Sequence, residues 1–114
     1  MDTPPHTIVE TAAFLADAKK LMTDDERAGL VDMIAAEPTC GDLIVGGGGI
    51  RKARYAIGSK GKSSGIRVVY FYSDERFPIF LLAVFAKNER SNLSQAEVNA
   101  LAKAVKTLIS KYGG

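Results

Sequence analysis

The most distinctive residues of this chain are cations gathered in its middle. Between Asp42 and Asp74 the sequence contains no acidic residue. The same segment carries six basic residues: Arg51, Lys52, Arg54, Lys60, Lys62 and Arg67. The rest of the chain has nine basic residues and thirteen acids, so the net charge of +2 hides a basic centre with acidic flanks. Clustered cations raise the local potential and displace counterions from phosphates, which favours a polyanion-binding surface over a merely solvated basic hairpin.

Lysines and arginines placed together can also act on RNA. The ribose 2′-hydroxyl is a built-in nucleophile that attacks the adjacent phosphate once its proton has been removed. Neighbouring cations favour the neutral form of a lysine, which can then act as a base near neutral pH. Arginine stays charged and can hold the negative charge that develops on the phosphate oxygens. The basic segment is therefore compatible with RNA cleavage without histidine, and equally with RNA binding alone.

Other kinds of site are absent from the sequence. The single histidine, His6, excludes a pair of catalytic histidines, and the single cysteine, Cys40, excludes an internal disulfide and a cysteine-built metal site. The stretch "GGGGIRKA" lacks the spacing of a phosphate-binding Gly-Lys-Ser/Thr loop. Because the carboxylates are dispersed, we expect neither a metal nor a cofactor. With no secretory signal and no apolar run near the roughly 20 residues that cross a membrane, we expect a cytoplasmic protein without membrane contact.

The elements that position the cations can be predicted from apolar spacing and helix caps. Residues 1–6 are expected to be flexible, and residues 7–11 to form a short strand. Two consecutive helices follow, the first over about 14–22. The second begins at the capping box "TDDE" and ends before Pro38. Their tight connection predicts an antiparallel helical hairpin.

The second half of the chain has the pattern of a sheet followed by a helix. The glycine run at 46–49 is predicted to be a loop that leads into strands at about 50–57, 65–73 and 78–86. A second capping box, "SQAE", opens a C-terminal helix with one apolar stripe. We therefore predict one α+β domain over residues 1–114, with an antiparallel sheet of three to four strands, an N-terminal helical hairpin and a C-terminal helix.

Strand alternation predicts where the cations lie. Lys52 and Arg54 project from one face of their strand and Arg51 from the other. Arg67 begins the next strand, and Lys87 follows the last one. Because antiparallel neighbours bring the start of one strand close to the end of the next, we predict that Lys52, Arg54, Arg67 and Lys87 form a cluster.

Three segments resemble the RelE superfamily of toxin–antitoxin toxins, especially its HigB-like branch. They are "GGIRKARYA", "KGKSSGIRVVYFY" and "FLLAVFAKNERSNLS", within a likeness of element order over about residues 7–112. The resemblance implies a small RelE-like fold and a metal-independent endoribonuclease, an mRNA interferase that enters the ribosomal A site and inhibits translation. It also implies a cognate antitoxin, expected to be a helix-turn-helix protein encoded nearby, through which alone the toxin reaches operator DNA.

The resemblance also assigns roles to individual residues. Lys52 and Arg54 fall where such toxins carry strand cations near the scissile phosphate. Arg67 matches the arginine of their "G-x-R-φ-φ-Y" strand, where φ is apolar, and Lys87 matches the basic residue after the last strand. These four residues are the expected catalytic set.

A second group of residues is expected to contact RNA or the ribosome: Arg51, Lys60, Lys62, Asn88 and Arg90. The chain departs from some members of the superfamily, which have an arginine where this chain has Asn88 and a tyrosine where it has Ser94. The general acid is therefore not identified. Tyr70 and Tyr72 are expected to pack in the fold rather than to stack on bases.

Two other functions stay open at this point. A ParE-like toxin that inhibits gyrase would share the fold, although that branch generally lacks the cationic cluster. A non-catalytic RNA-binding regulatory domain would use the same cations to hold phosphates, so the sequence separates it poorly from a nuclease.

Overall fold

The computed structural model describes residues 7–57, 65–74, 76–87 and 92–111. In chain order its elements are β1 (Ile8–Glu10), α1 (Ala12–Leu21), α2 (Asp24–Ala36), β2 (Asp42–Leu43), β3 (Ile50–Ala56), β4 (Gly65–Phe71), β5 (Ile79–Ala86) and α3 (Gln95–Ser110). The flexibility predicted for residues 1–6 lies outside the described ranges. Within those ranges, no helix has the length and apolar character needed to span a bilayer.

Local sequence signals determine where the helices begin. The Thr11 hydroxyl accepts a hydrogen bond from the Phe14 N–H at 3.3 Å and so caps α1. Thr23 and Ser94 each form a complete capping box, because the glutamate three residues on accepts a hydrogen bond from the backbone N–H of the cap. Both predicted capping boxes are confirmed. The helix α2 ends at Ala36, because Pro38 disfavours helical backbone angles at the residue before it, Glu37.

The sheet is five-stranded and mixed, in the order β1-β5-β4-β3-β2. Strands β2 to β5 pair antiparallel in succession, whereas β1 runs parallel to β5 and aligns Ile8 with Ile79. The prediction of an antiparallel sheet with three to four strands was therefore wrong at its edges. The two edge strands are only three and two residues long. Their pairing depends on distant partners rather than on a local hydrophobic pattern.

Helices cover both faces of the sheet. The first face packs against α1 and α2 through a core of Phe14, Ala18, Leu30, Ile34, Ala53, Ile66, Val68, Tyr70, Ile79, Leu81 and Val84. The helix α1 lies closely against β5. The predicted hairpin is therefore better described as two consecutive helices that each pack on the sheet.

The second face packs against α3, and a bulge in β5 adjusts its packing. This core contains Ile50, Val69, Phe71, Phe80, Leu82, Phe85 and Val105. Val69 pairs with Ala83 but Tyr70 pairs with Leu81, so Leu82 is an extra residue in β5. Leu82 and Ala83 consequently both pack towards α3. Beyond the bulge the alternation resumes, and Phe85 faces α3 directly opposite Arg67.

Candidate functional site

Strands β3 and β4 place three cations on the α3 face of the sheet. Lys52 and Arg54 alternate with Ala53, which lies in the core on the opposite face, and they share their side of β3 with Ile50. Arg54 is the direct cross-strand partner of Arg67, and Lys52 is opposite Val69. Side chains that face each other in this way have Cβ atoms about 5 Å apart. The three cations are therefore close neighbours at the end of this face.

Lys87 lies at the same end of the sheet. Its backbone N–H donates a hydrogen bond to the Gly65 carbonyl at 3.1 Å, and Gly65 precedes Arg67 by two positions in β4. Because Phe85 faces α3, alternation places the exposed Lys87 on the same side. We call this group the cation patch, defined as Lys52, Arg54, Arg67 and Lys87.

No carboxylate of the described residues forms an ion pair with the cation patch. The ion pairs among the described residues join Arg27 to Glu10 and Asp24, and Arg76 to Asp74. Arg54 is exposed and Arg67 is half-buried, with its Nη1 3.8 Å from the position that a Cβ on Gly65 would take. Two like charges directly opposite each other in a sheet are destabilising, so the fold alone does not explain this arrangement.

Lys52 is held by a residue that the sequence analysis did not identify. Its ammonium group donates a hydrogen bond to Oδ1 of Asn92, which lies just before α3. The next residue, Leu93, packs against the core on the α3 side, and Ser94 caps the helix. Asn92 is 40 positions from Lys52 in a polar turn, and no spacing in the sequence links the two residues.

Arg51 lies on the opposite face of β3 from Lys52 and Arg54. Its Nη1 donates hydrogen bonds to the backbone carbonyl of Gly41 at 2.7 Å and to that of Thr39 at 3.4 Å. These bonds tie the segment after α2 to the sheet. The guanidinium is thus engaged in the fold and points away from the cation patch, so the geometry does not favour the RNA contact that we expected from Arg51.

Tyr70, the cross-strand partner of Arg51, is fully buried beside the same segment. Its hydroxyl donates to the Pro38 carbonyl at 2.7 Å and accepts from the Gly41 N–H at 2.9 Å. Burial raises the pKa of Tyr70 well above its ordinary value, while the hydrogen bond from Gly41 acts in the opposite direction. The predicted packing role of Tyr70 is confirmed, and Tyr72 is half-buried against the same core.

Gly41 allows this close contact between the segment and the sheet. A Cβ at this position would lie 2.9 Å from the Lys52 carbonyl oxygen and 2.9 Å from the Tyr70 hydroxyl. Both distances are too short for a carbon atom, and one of the two neighbours is backbone. A side chain at position 41 would therefore push the segment away from β3 and weaken the bonds to Arg51 and Tyr70.

The remaining predicted site residues divide into two groups. Lys60, Lys62, Asn88 and Arg90 lie outside the described residues. Ser94 is described, and its hydroxyl accepts the Glu97 N–H at 3.2 Å as the cap of α3. Its side chain therefore serves to cap the helix. Across the described ranges, no group of three or more His, Cys, Asp or Glu could hold a metal ion.

Two comparisons relate this chain to known proteins. The family described as "RelE toxin of RelE / RelB toxin-antitoxin system" matches residues 7–112. Among solved structures, a double arginine-to-alanine mutant of the E. coli toxin RelE in the free state is similar, with a TM-score of 0.57 and 20% sequence identity. The likeness covers 88% of this chain and 96% of that one, and at this identity it shows the fold alone. Since the family match spans nearly all of the sequence, the chain belongs to the RelE toxin family.

Proposed function

We propose that this protein is the toxin of a type II toxin–antitoxin system and acts as a ribosome-dependent mRNA endonuclease. The observation that carries the proposal is the direct cross-strand pairing of Arg54 and Arg67, without a carboxylate partner among the described residues. The repulsion between these guanidinium groups is relieved when an anion lies between them. An RNA phosphate has the charge and the oxygen geometry that arginine binds best.

Each member of the cation patch has a role in this proposal. Arg54 and Arg67 hold the non-bridging oxygens of the scissile phosphate as negative charge develops in the transition state. Lys52 accepts the proton of the 2′-hydroxyl, and Lys87 contacts the phosphate from the end of β5. The bond from the 2′-oxygen to phosphorus forms while the bond from phosphorus to the 5′-oxygen breaks. The 5′-oxygen leaves with a proton from water or from a ribosomal group, and no metal is required.

Residues outside the described ranges extend this proposal. Lys60 and Lys62 belong to a stretch rich in glycine and serine that precedes Arg67 in sequence, and Asn88 and Arg90 follow Lys87. We assign them to contacts with the RNA backbone or the ribosome. Such contacts depend on the charge and length of the side chains more than on their precise alignment. Arg51 is left out of this surface because its guanidinium bonds to backbone carbonyls on the other face.

The proposed partners follow from family membership. A RelE-family toxin implies a cognate antitoxin. We propose a helix-turn-helix antitoxin encoded nearby, which contacts operator DNA on behalf of the complex. We also propose that the toxin acts in the cytoplasm, where ribosomes and mRNA are found. We further propose that it belongs to the HigB-like branch, which its three quoted sequence segments resemble.

The test compares cleavage of the same mRNA with and without programmed ribosomes. Cleavage of free RNA should be slow, because lysines and arginines without histidine form a poor acid–base pair. The ribosome should speed cleavage greatly by orienting the 2′-hydroxyl in line with the leaving oxygen. Equal rates on free and ribosome-bound mRNA would contradict ribosome dependence.

The same protein should be expressed without its partner in growing cells. Translation should halt while DNA topology stays normal. Trapped gyrase–DNA complexes with continuing protein synthesis would favour the ParE-like function. Binding of mRNA without any cleavage would favour a non-catalytic RNA-binding domain.

A further inference from the structure

We propose that Asn92 is a positioning residue that orients the ammonium group of Lys52 in the cation patch. This inference rests on the proposed function, because it names the group that prepares a reacting side chain. The hydrogen bond from Lys52 Nζ to Asn92 Oδ1 links the middle of β3 to the start of α3. Nothing in the family description or in the structural likeness assigns a role to Asn92.

The backbone around Asn92 is well anchored. Leu93 packs against the core on the α3 side. The Ser94 N–H donates to Glu97 Oε1 at 2.8 Å, and the Ser94 hydroxyl accepts from the Glu97 N–H at 3.2 Å. The capping box therefore holds the chain two residues after Asn92. Because the backbone beside Asn92 is held in this way, the Asn92 side-chain oxygen can restrict the position of the flexible Lys52 side chain.

The Lys52 side chain has a specific need for such an acceptor. It is long and has four rotatable bonds, so it samples many positions above the sheet unless a partner restricts it. Arg54 lies two positions away on the same face of β3 and repels the ammonium group. The bond to Asn92 counters this repulsion and keeps Lys52 beside Arg54, within reach of the same phosphate.

The chemistry of an amide suits this role better than that of a carboxylate. The Asn92 oxygen accepts a hydrogen bond but carries no net charge. A carboxylate at the same place would favour the ammonium form of lysine and would also repel an RNA phosphate. An asparagine therefore orients Lys52 while leaving it able to accept a proton.

The experiment uses Asn92→Ala and Asn92→Asp in the full chain, with Asn99→Ala and Asn99→Asp as matched controls. Asn99 is also an exposed asparagine, and its Oδ1 accepts from Gln95 Nε2 within α3 at 3.1 Å. Single-turnover cleavage on programmed ribosomes should fall about tenfold in Asn92→Ala, with mRNA binding and thermal unfolding unchanged. In Asn92→Asp the pH–rate profile should rise about one pH unit later, because the carboxylate favours the ammonium form. The Asn99 variants should match the wild type.

A second measurement makes the inference independent of cleavage. The Cε resonance of Lys52, followed by NMR in the free protein at neutral pH, should shift in Asn92→Ala and not in Asn99→Ala, because only the first variant removes the acceptor of the ammonium group. If this resonance does not shift, the positioning role is wrong, whatever the cleavage assay shows. If it moves but the wild type cleaves no mRNA, Asn92 positions Lys52 and the proposed function fails instead.

Discussion

The two faces of β3 carry the same kind of side chain and use it in opposite ways. Arg51, on the face covered by α1 and α2, donates hydrogen bonds to the carbonyls of Thr39 and Gly41. Arg54, three positions later and on the other face, is exposed and lies directly opposite Arg67. Residue type therefore does not distinguish a cation that bonds within the fold from one that we propose to act on RNA. The difference lies in what each side chain contacts on its own face.

The surroundings of the two faces explain this difference. On the first face the carbonyls of Gly41 and Pro38 accept hydrogen bonds from Arg51 Nη1 and the Tyr70 hydroxyl, while Arg51 Nε is buried without a partner among the described residues. On the second face α3 covers Ile50 and Val69, whereas Arg54 is exposed and Arg67 is half-buried. A cation whose hydrogen bonds stay within the fold stabilises it, whereas Arg54 and Arg67 repel each other across the strand pair.

The largest expected effect comes from removing Arg67. Arg67→Ala should lower single-turnover cleavage on programmed ribosomes about a hundredfold, or about 3 kcal/mol, because the guanidinium holds charge that develops in the transition state. The free energy of unfolding should change by less than about 1 kcal/mol, since the side chain lies at the edge of the core. Arg67→Lys keeps the charge but loses the planar fork, and should restore cleavage only in part. Normal cleavage, or simple unfolding of Arg67→Ala, would make Arg67 a structural residue like Arg51.

A smaller effect is expected from Tyr70 on the opposite face. Tyr70→Phe should lower the free energy of unfolding by about 2 kcal/mol, because the Pro38 carbonyl and the Gly41 N–H lose their buried partner. The difference in unfolding free energy between the wild type and Tyr70→Phe should decrease above a pH of about 10. There the unfolded tyrosine loses its proton, while burial holds the folded pKa higher, so unfolding releases a proton. Urea unfolding of both proteins from neutral to alkaline pH measures this, and a difference that grows with pH would refute it.

The smallest effects come from the two arginines of β3, and they should be opposite in kind. One variant should lose stability and keep its cleavage rate, and the other should lose cleavage and keep its stability. Arg51→Ala should lower the free energy of unfolding by about 1 kcal/mol, because it removes the hydrogen bonds to the Gly41 and Thr39 carbonyls. Its cleavage rate should stay within about threefold of the wild type. Arg54→Ala should lower cleavage about tenfold, with a change in unfolding free energy below about 0.5 kcal/mol. The two variants should be measured in parallel by both assays, and a loss of cleavage in Arg51→Ala without loss of stability would return Arg51 to the RNA surface.

The parts of the fold that could be predicted from the sequence are those that depend on residues close together in the chain. Both capping boxes were found because their residues stand three positions apart, and strands β4 and β5 because each contains a long apolar run. The parallel pairing of Ile8 with Ile79 could not be predicted, because it depends on how two helices return the chain to the sheet. The two-residue strand β2 was missed for a similar reason, since its pairing with Lys52 and Arg51 is tertiary.

The candidate site shows the same limit. Alternation predicted that Lys52 and Arg54 share a face, because the side-chain period of a strand is known in advance. The role of Arg51 could not be predicted, because the carbonyls that it meets belong to an irregular segment. Asn92 was missed because its contact with Lys52 requires both the sheet and α3 to be in place.

The central claim is that cations on one face of the sheet promote attack by the RNA's own 2′-hydroxyl. The most direct test is single-turnover cleavage of end-labelled mRNA on programmed ribosomes, followed by chemical identification of the new ends. We predict a 2′,3′-cyclic phosphate and a 5′-hydroxyl, and no cleavage when the nucleotide 5′ to the cleaved bond lacks its 2′-hydroxyl. Ends with a 3′-hydroxyl and a 5′-phosphate, or cleavage of the 2′-deoxy substrate, would contradict the claim.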